Sequence, residues 1–172
     1  GMVVPPLLAK VGGGTFYRVA GGRLQQFAGD GYADVARPPG VLVSGSAVGY
    51  YGEQGDRPIT EDTPPTPGFT HELCAAWERE ADKATAFGVR VCRMRIGVVL
   101  DKGGGALAKM LPAFRLGAGG RLGSGTHYFP WIHREDVVAI CQWLVERPEA
   151  RGAYNAGSPN PVTNAEFTRA LG

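Results

Sequence analysis

The chain has 172 residues, 44% of them hydrophobic and 20% charged, with a formal net charge of +2. That is enough chain and enough apolar content for the core of an ordinary globular domain. Lysine and arginine are scattered rather than clustered, which argues against a nucleic-acid surface, and no apolar run reaches the roughly 18–20 residues that span a bilayer.

The first residues, Gly1-Met-Val-Val-Pro-Pro6, place no basic stretch ahead of an apolar core, so a signal peptide is not expected. The three cysteines, Cys74, Cys92 and Cys141, are widely spaced and form no CxxC pair. An odd count at that spacing fits neither a disulfide framework nor a zinc site, and no metal site is expected. Each cysteine sits in an apolar pattern and reads as a small buried residue of a reduced, cytoplasmic protein.

Residues 1–36 keep neither a helical nor a strand period and read as linker. Val11-Gly-Gly-Gly-Thr15 resembles a phosphate loop only superficially, because it lacks GxGxxG spacing and follows no clear strand. The pattern sharpens at Arg37-Pro-Pro-Gly40. Val41-Leu-Val43 is a short continuous apolar run, as in a strand buried on both faces, and it ends in Ser44-Gly-Ser-Ala47, small residues that let the backbone approach a ligand closely. With no strand recognisable ahead of it, Val41–Val43 is expected to be an aggregation-prone edge unless residues 1–40 cover it. A polar, proline-rich loop follows from Glu53 to Gly68.

Leu73, Ala76, Trp77, Ala81, Ala84 and Phe87 recur at helical steps, predicting a helix over 70–87 with Thr70 as N-cap and Gly88 as terminator. Trp77 and Cys74 read as core. Val89–Leu100 is predicted as one strand, with Cys92, Met94, Ile96, Val98 and Leu100 on one face. Strand, helix and strand make a βαβ unit, and hence a parallel sheet covered by helices. Gly103-Gly-Gly105 leads into a helix with Leu107, Met110, Leu111 and Phe114, kinked at Pro112. Gly117–Gly125 is a glycine-rich loop, and Tyr128–Ile132 is extended. Glu135 and Asp136 suit the positive end of a helix with Val137, Ile140, Cys141 and Leu144 on its buried side. Tyr154–Ala156 reads as a short strand, and Thr163-Asn-Ala-Glu166 as a capping box opening a last helix.

Several segments resemble one family, in that family's order. They include Val41-Leu-Val-Ser-Gly-Ser-Ala-Val-Gly-Tyr-Tyr-Gly52, Phe69-Thr-His-Glu-Leu-Cys-Ala-Ala-Trp-Glu78 and Arg95-Ile-Gly-Val-Val-Leu100. Met110-Leu-Pro-Ala-Phe-Arg-Leu-Gly117, Pro130-Trp-Ile-His133 with Asp136, and Tyr154-Asn-Ala-Gly-Ser-Pro159 continue the match to the end of the chain. The chain is similar to the atypical extended short-chain dehydrogenase/reductases known as epimerase family proteins. The resemblance implies an α/β fold, the C-terminal half of a Rossmann-like doubly wound parallel sheet plus a small substrate-facing lobe. It divides the chain into 1–36 linker, 37–100 partial nucleotide-binding domain and 101–172 lobe with closing helices.

The resemblance also implies the site. Ser44, Gly45, Ser46, Arg95, Gly97 and Val98 would border the cofactor, NADP or alternatively NAD. Ser46 would hydrogen-bond the reacting oxygen, with Tyr50 and His133 as substitute acids. Substitutes are needed because the family's relatives use a Tyr-x-x-x-Lys pair on the facing helix, and this chain has Phe69 and Leu73 at that stretch. His71 reads as a cap, and Trp131 as an anchor. The glycine-rich pyrophosphate loop is not visible, so the chain is expected to lack its first motif and to bind NADPH weakly or not at all as written. The implied function is an NAD(P)-binding epimerase or reductase acting on an unknown small molecule. A non-catalytic cofactor-binding or regulatory protein, or an inactive partial product, are the alternatives. No nucleic-acid or membrane partner is expected.

Overall fold

A computed structural model describes residues 38–172 and, ahead of them, three strands: β1 (Tyr17–Ala20), β2 (Arg23–Phe27) and β3 (Tyr32–Asp34). They pair antiparallel in the order β1-β2-β3, with Ala20 opposite Arg23 and Phe27 opposite Tyr32. Within the stretch 1–36 expected as linker, Tyr17–Ala20, Arg23–Phe27 and Tyr32–Asp34 are strand instead. Strands of four, five and three residues are too short for alternation to declare itself. The Val11–Thr15 segment lies outside the described residues.

After Gly40 the chain enters β4 (Val41–Ala47), which runs four residues beyond its apolar triplet. Ser44–Ala47 belong to the strand, and the turn follows it as a 3-10 helix over Val48–Tyr51. Helix α1 (Phe69–Asp82) starts one residue earlier than the periodicity suggested, with Gly68 rather than Thr70 as N-cap. A 3-10 turn, Lys83–Phe87, carries it to Gly88, whose φ of 74° is the left-handed conformation glycine adopts without Cβ strain. Strand β5 (Arg90–Ile96) follows.

The sheet order is β4-β5-β9, where β9 is Gly152–Ala156, so β4 is an outer strand among the described residues. The Arg90 N–H donates to the Gly40 oxygen at 3.2 Å, joining the beginnings of β4 and β5. Joined starts mean strands running the same way, as a crossover through α1 requires.

Both faces of β5 are buried. Val91 packs with Ala81, Ala84, Val89, Leu42 and Phe87 on the α1 side. Met94 is fully buried, with Cys141 Sγ at 3.9 Å from its Sδ. Cys141 belongs to α3 (Arg134–Glu146), so helices cover the sheet on its two faces. Arg90 completes this layer: its guanidinium donates to the Leu144, Val145 and Ala150 oxygens at the end of α3.

The single strand expected over Val89–Leu100 is corrected. It divides at Gly97, and β6 (Val98–Asp101) joins another sheet, parallel to β8 (Trp131–His133), with Val98 opposite Trp131 and Leu100 opposite His133. A Cβ at Gly97 would meet the Pro130 oxygen at 2.7 Å, so glycine permits the break. Helix α2 (Gly105–Arg115) continues for three residues past Pro112. Strand β7 (Tyr128–Phe129) pairs antiparallel with β10 (Val162–Thr163), and Phe129 stacks on Phe167 of α4 (Asn164–Leu171) at 4.1 Å between centroids.

The chain divides into two compact units: Gly1–Arg95 with Ala139–Asn155, and Ile96–Val138 with Ala156–Gly172. The segment Ala139–Asn155 thus returns to the first. Among the described residues no helix is long and apolar enough to cross a membrane, and no cluster of three or more His, Cys, Asp and Glu residues could hold a metal ion.

Candidate functional site

In the first unit, β4 delivers Ser44, Gly45 and Ser46 to the carboxyl end of a parallel strand, where open α/β sheets place their ligands. Ser44 and Ser46 are both buried. Ser46 donates its hydroxyl proton to Glu78 Oε1 at 2.8 Å. Glu78 lies two helical turns along α1 from Thr70, with Cys74 between them, a spacing that puts all three on one side. Two contacts fix that side. A Cβ built on Gly49 would stand 3.4 Å from Thr70 Cβ and 3.8 Å from Cys74 Sγ, and Cys74 lies within hydrogen-bond reach of Ser46 and the Ala47 backbone.

The helix therefore turns Thr70, Cys74 and Glu78 toward the serine. Phe69 is 78% exposed, so the stretch that stands for Tyr-x-x-x-Lys is read one residue later than the sequence suggested. The conclusion about acid–base chemistry is unchanged, since threonine and cysteine do not form that pair. Burial, with Glu78 adding to it, raises the Cys74 thiol above its usual range and keeps it neutral.

Glu78 also receives Arg95 side-on: Nε to Oε1 and Nη2 to Oε2, both at 2.9 Å. Both residues are only 3% exposed. Burial works to raise the Glu78 pKa, but the hydrogen bonds from Arg95 and Ser46 outweigh it and hold the carboxylate below its ordinary range. Burial likewise opposes the Arg95 charge, and Glu78 and Tyr51 more than restore it. Arg95 Nη1 donates to the Tyr51 hydroxyl at 2.9 Å and to the Glu61 backbone oxygen at 3.1 Å. Tyr51 passes its own proton to Asn155 Oδ1 at 2.6 Å, and the Glu61 carboxylate accepts the Asn155 N–H at 2.7 Å. One connected network thus ties β4, α1, β5, β9 and the proline-rich loop together.

Tyr50 lies over Arg95, its ring centroid 3.5 Å from Cζ, and meets His71 edge-on. His71 Nδ1 is 2.7 Å from the Tyr50 oxygen, which fixes the 3-10 turn on the first turn of α1.

The remaining sequence candidates lie in the second unit. The Gly97 N–H donates to the Ala156 oxygen, and the Val98 N–H to the Pro130 oxygen. His133, at the end of β8, is exposed, and its Nδ1 accepts the Glu135 N–H at 3.3 Å at the start of α3.

Ser44, Gly45 and Ser46 are small residues toward the carboxyl end of β4 and could hold a flat ligand close to the backbone. The charge of Arg95 is satisfied by Glu78 rather than left for a phosphate. What the sequence reading missed is the role of Glu78, Tyr51, Glu61 and Asn155. An arginine inside a buried strand, flanked by Met94 and Ile96, was the available signal, because a buried charge requires a partner.

A parallel sheet covered by helices on both faces, with small residues at the carboxyl end of β4, has the architecture of a Rossmann-like α/β protein. The sequence pattern of the NAD-dependent epimerase/dehydratase family matches residues 32–157, and the chain belongs to that family. Epimerase family protein Mb2239 of Mycobacterium bovis is 46% identical over 132 residues, 77% of this chain and 44% of that protein. The human epimerase family protein SDR39U1, solved with NADPH, is 37% identical with a TM-score of 0.70, over 80% of this chain and 48% of that one. A nucleoside-diphosphate sugar epimerase of Corynebacterium glutamicum has a TM-score of 0.72 at 37% identity, over 77% of this chain and 28% of that one. The chain spans about half the length of the curated relatives it matches, or less.

Proposed function

We propose that the chain carries the nicotinamide end of an NADP(H)-dependent epimerase or reductase site, with NAD(H) as the second choice of cofactor, acting on a small molecule that carries a hydroxyl or carbonyl group. The observation that supports this most is Ser46, held by a buried network at the carboxyl end of β4 in a chain of this family. Ser44 and Gly45 are proposed to line the cofactor beside it. The bound cofactor would supply hydride exchange at a carbon. Ser46 would hold the reacting oxygen, and Tyr50 is the proposed proton carrier in place of the absent tyrosine–lysine pair. Three buried free thiols suit a reducing compartment, and the cytoplasm is the location we propose.

Calorimetric titration with NADPH and NADP+, followed by absorbance at the reduced-nicotinamide band with nucleoside-diphosphate sugars and simple carbonyl compounds, tests the reading. Binding of either cofactor, with turnover that Ser46→Ala lowers by about 10²-fold, is expected if Ser46 acts in the chemical step. Saturable turnover that Ser46→Ala leaves intact would remove the serine from the mechanism, and no binding would remove the site.

A further inference from the structure

We propose that Glu78 fixes Ser46 as a hydrogen-bond acceptor toward its ligand, so that this position recognises a donor, a hydroxyl or amine, rather than a carbonyl oxygen. The proposal rests on the reading that Ser46 faces the ligand.

A serine hydroxyl has one proton and two lone pairs, and an ionised carboxylate can only accept. Every neighbour placed around the Glu78 oxygens is a donor. Ser46 Oγ lies at 2.8 Å, Arg95 Nε and Nη2 at 2.9 Å each, and Arg93 Nη1 at 3.6 Å. The reverse arrangement needs a protonated Glu78, which the bidentate arginine opposes. The Ser46 proton is therefore spent on Glu78, and with the neutral Cys74 thiol beside it what Ser46 offers a ligand is its remaining lone pair. To donate to a carbonyl it would have to leave a buried carboxylate short of a partner.

The same geometry makes the preference durable. Arg95 is pinned by Tyr51, Glu61 and the Tyr50 ring, so the carboxylate plane cannot turn away from the serine. Glu78 acts through Ser46 and is a positioning residue.

The test is calorimetric titration of the chain with two probes. UDP-4-amino-4-deoxyglucose presents a donor, and UDP-4-deoxy-4-fluoroglucose only an acceptor. The amino sugar is expected to bind about tenfold more tightly, one hydrogen bond's worth. Ser46→Ala should bring the two within about twofold, since only the serine reads the difference. The double variant Glu78→Leu/Arg95→Met, which replaces the ion pair by apolar groups, frees the Ser46 proton and should erase or invert the preference. If that variant does not unfold cooperatively, Ser46→Ala alone decides. Equal affinities in the unaltered chain, tighter binding of the fluoro sugar, or a preference that survives Ser46→Ala overturns the proposal while leaving the site itself intact. Binding of neither probe overturns the proposed function and this inference with it.

Discussion

Glu78 and Arg95 are a buried ion pair whose members lie on different elements, and the cost of separating them is what makes the network rigid. Glu78→Ala leaves an arginine without its carboxylate in the interior, which should destabilise the fold by about 3–5 kcal/mol. Replacing both by Leu and Met should cost much less than either single change, and urea unfolding of the four forms of this double-mutant cycle measures the difference. The pair also sets an acid limit. Glu78 has a folded pKa below its unfolded value, so its contribution is fully present above the ordinary glutamate range of about 4.3 and is lost as pH falls through it. Asp82 works the other way: burial raises its pKa against the pull of Arg93, so it favours the folded chain slightly more as pH drops. The buried group should dominate. Urea midpoints between pH 6 and pH 3 should fall, and Glu78→Gln should flatten that fall.

At the scale of elements, the sequence showed its long periodic segments well and its junctions poorly. Helix α1 was legible because Leu73, Ala76, Trp77, Ala81 and Ala84 hold a helical period and Gly88 ends it. Its cap was misjudged by two residues, because Gly68 caps with backbone alone and leaves no side-chain signature. The break at Gly97 was hidden for a similar reason: the apolar alternation runs through it, and only the close approach of Pro130 shows that the chain changes partner there. Gly97→Ala should force that contact apart at a cost of about 1–3 kcal/mol, seen as a lower thermal midpoint. The capping box of α4 was readable from four letters, and it is present in full: Thr163 Oγ1 accepts the Glu166 N–H at 3.2 Å and the Thr163 N–H reaches Glu166 Oε2 at 2.7 Å. Thr163→Ala should cost about 1 kcal/mol and accelerate amide exchange in the first turn of α4.

For the whole molecule, the α/β class and the family were visible in the order of short motifs, while the return of Ala139–Asn155 to the first unit was not, because only long-range pairing of β9 with β5 brings it there. The site was half legible for the same reason. Ser46 stood out in sequence, but the residues that hold it come from five separate segments. The cysteines report on this long-range assembly. Cys74 on α1, Cys92 on β5 and Cys141 on α3 are all buried in the first unit, and burial raises each thiol above its usual range. Thiolate is the reactive form, so the folded chain should react with a disulfide reagent at least about 10²-fold more slowly than the chain in urea. Because the three thiols lie on elements packed around one sheet, opening that exposes one should expose all. Pulsed labelling followed by mass spectrometry should then show unlabelled and triply labelled chains with few intermediates. A dominant singly labelled species would mean that one of these elements leaves the core alone.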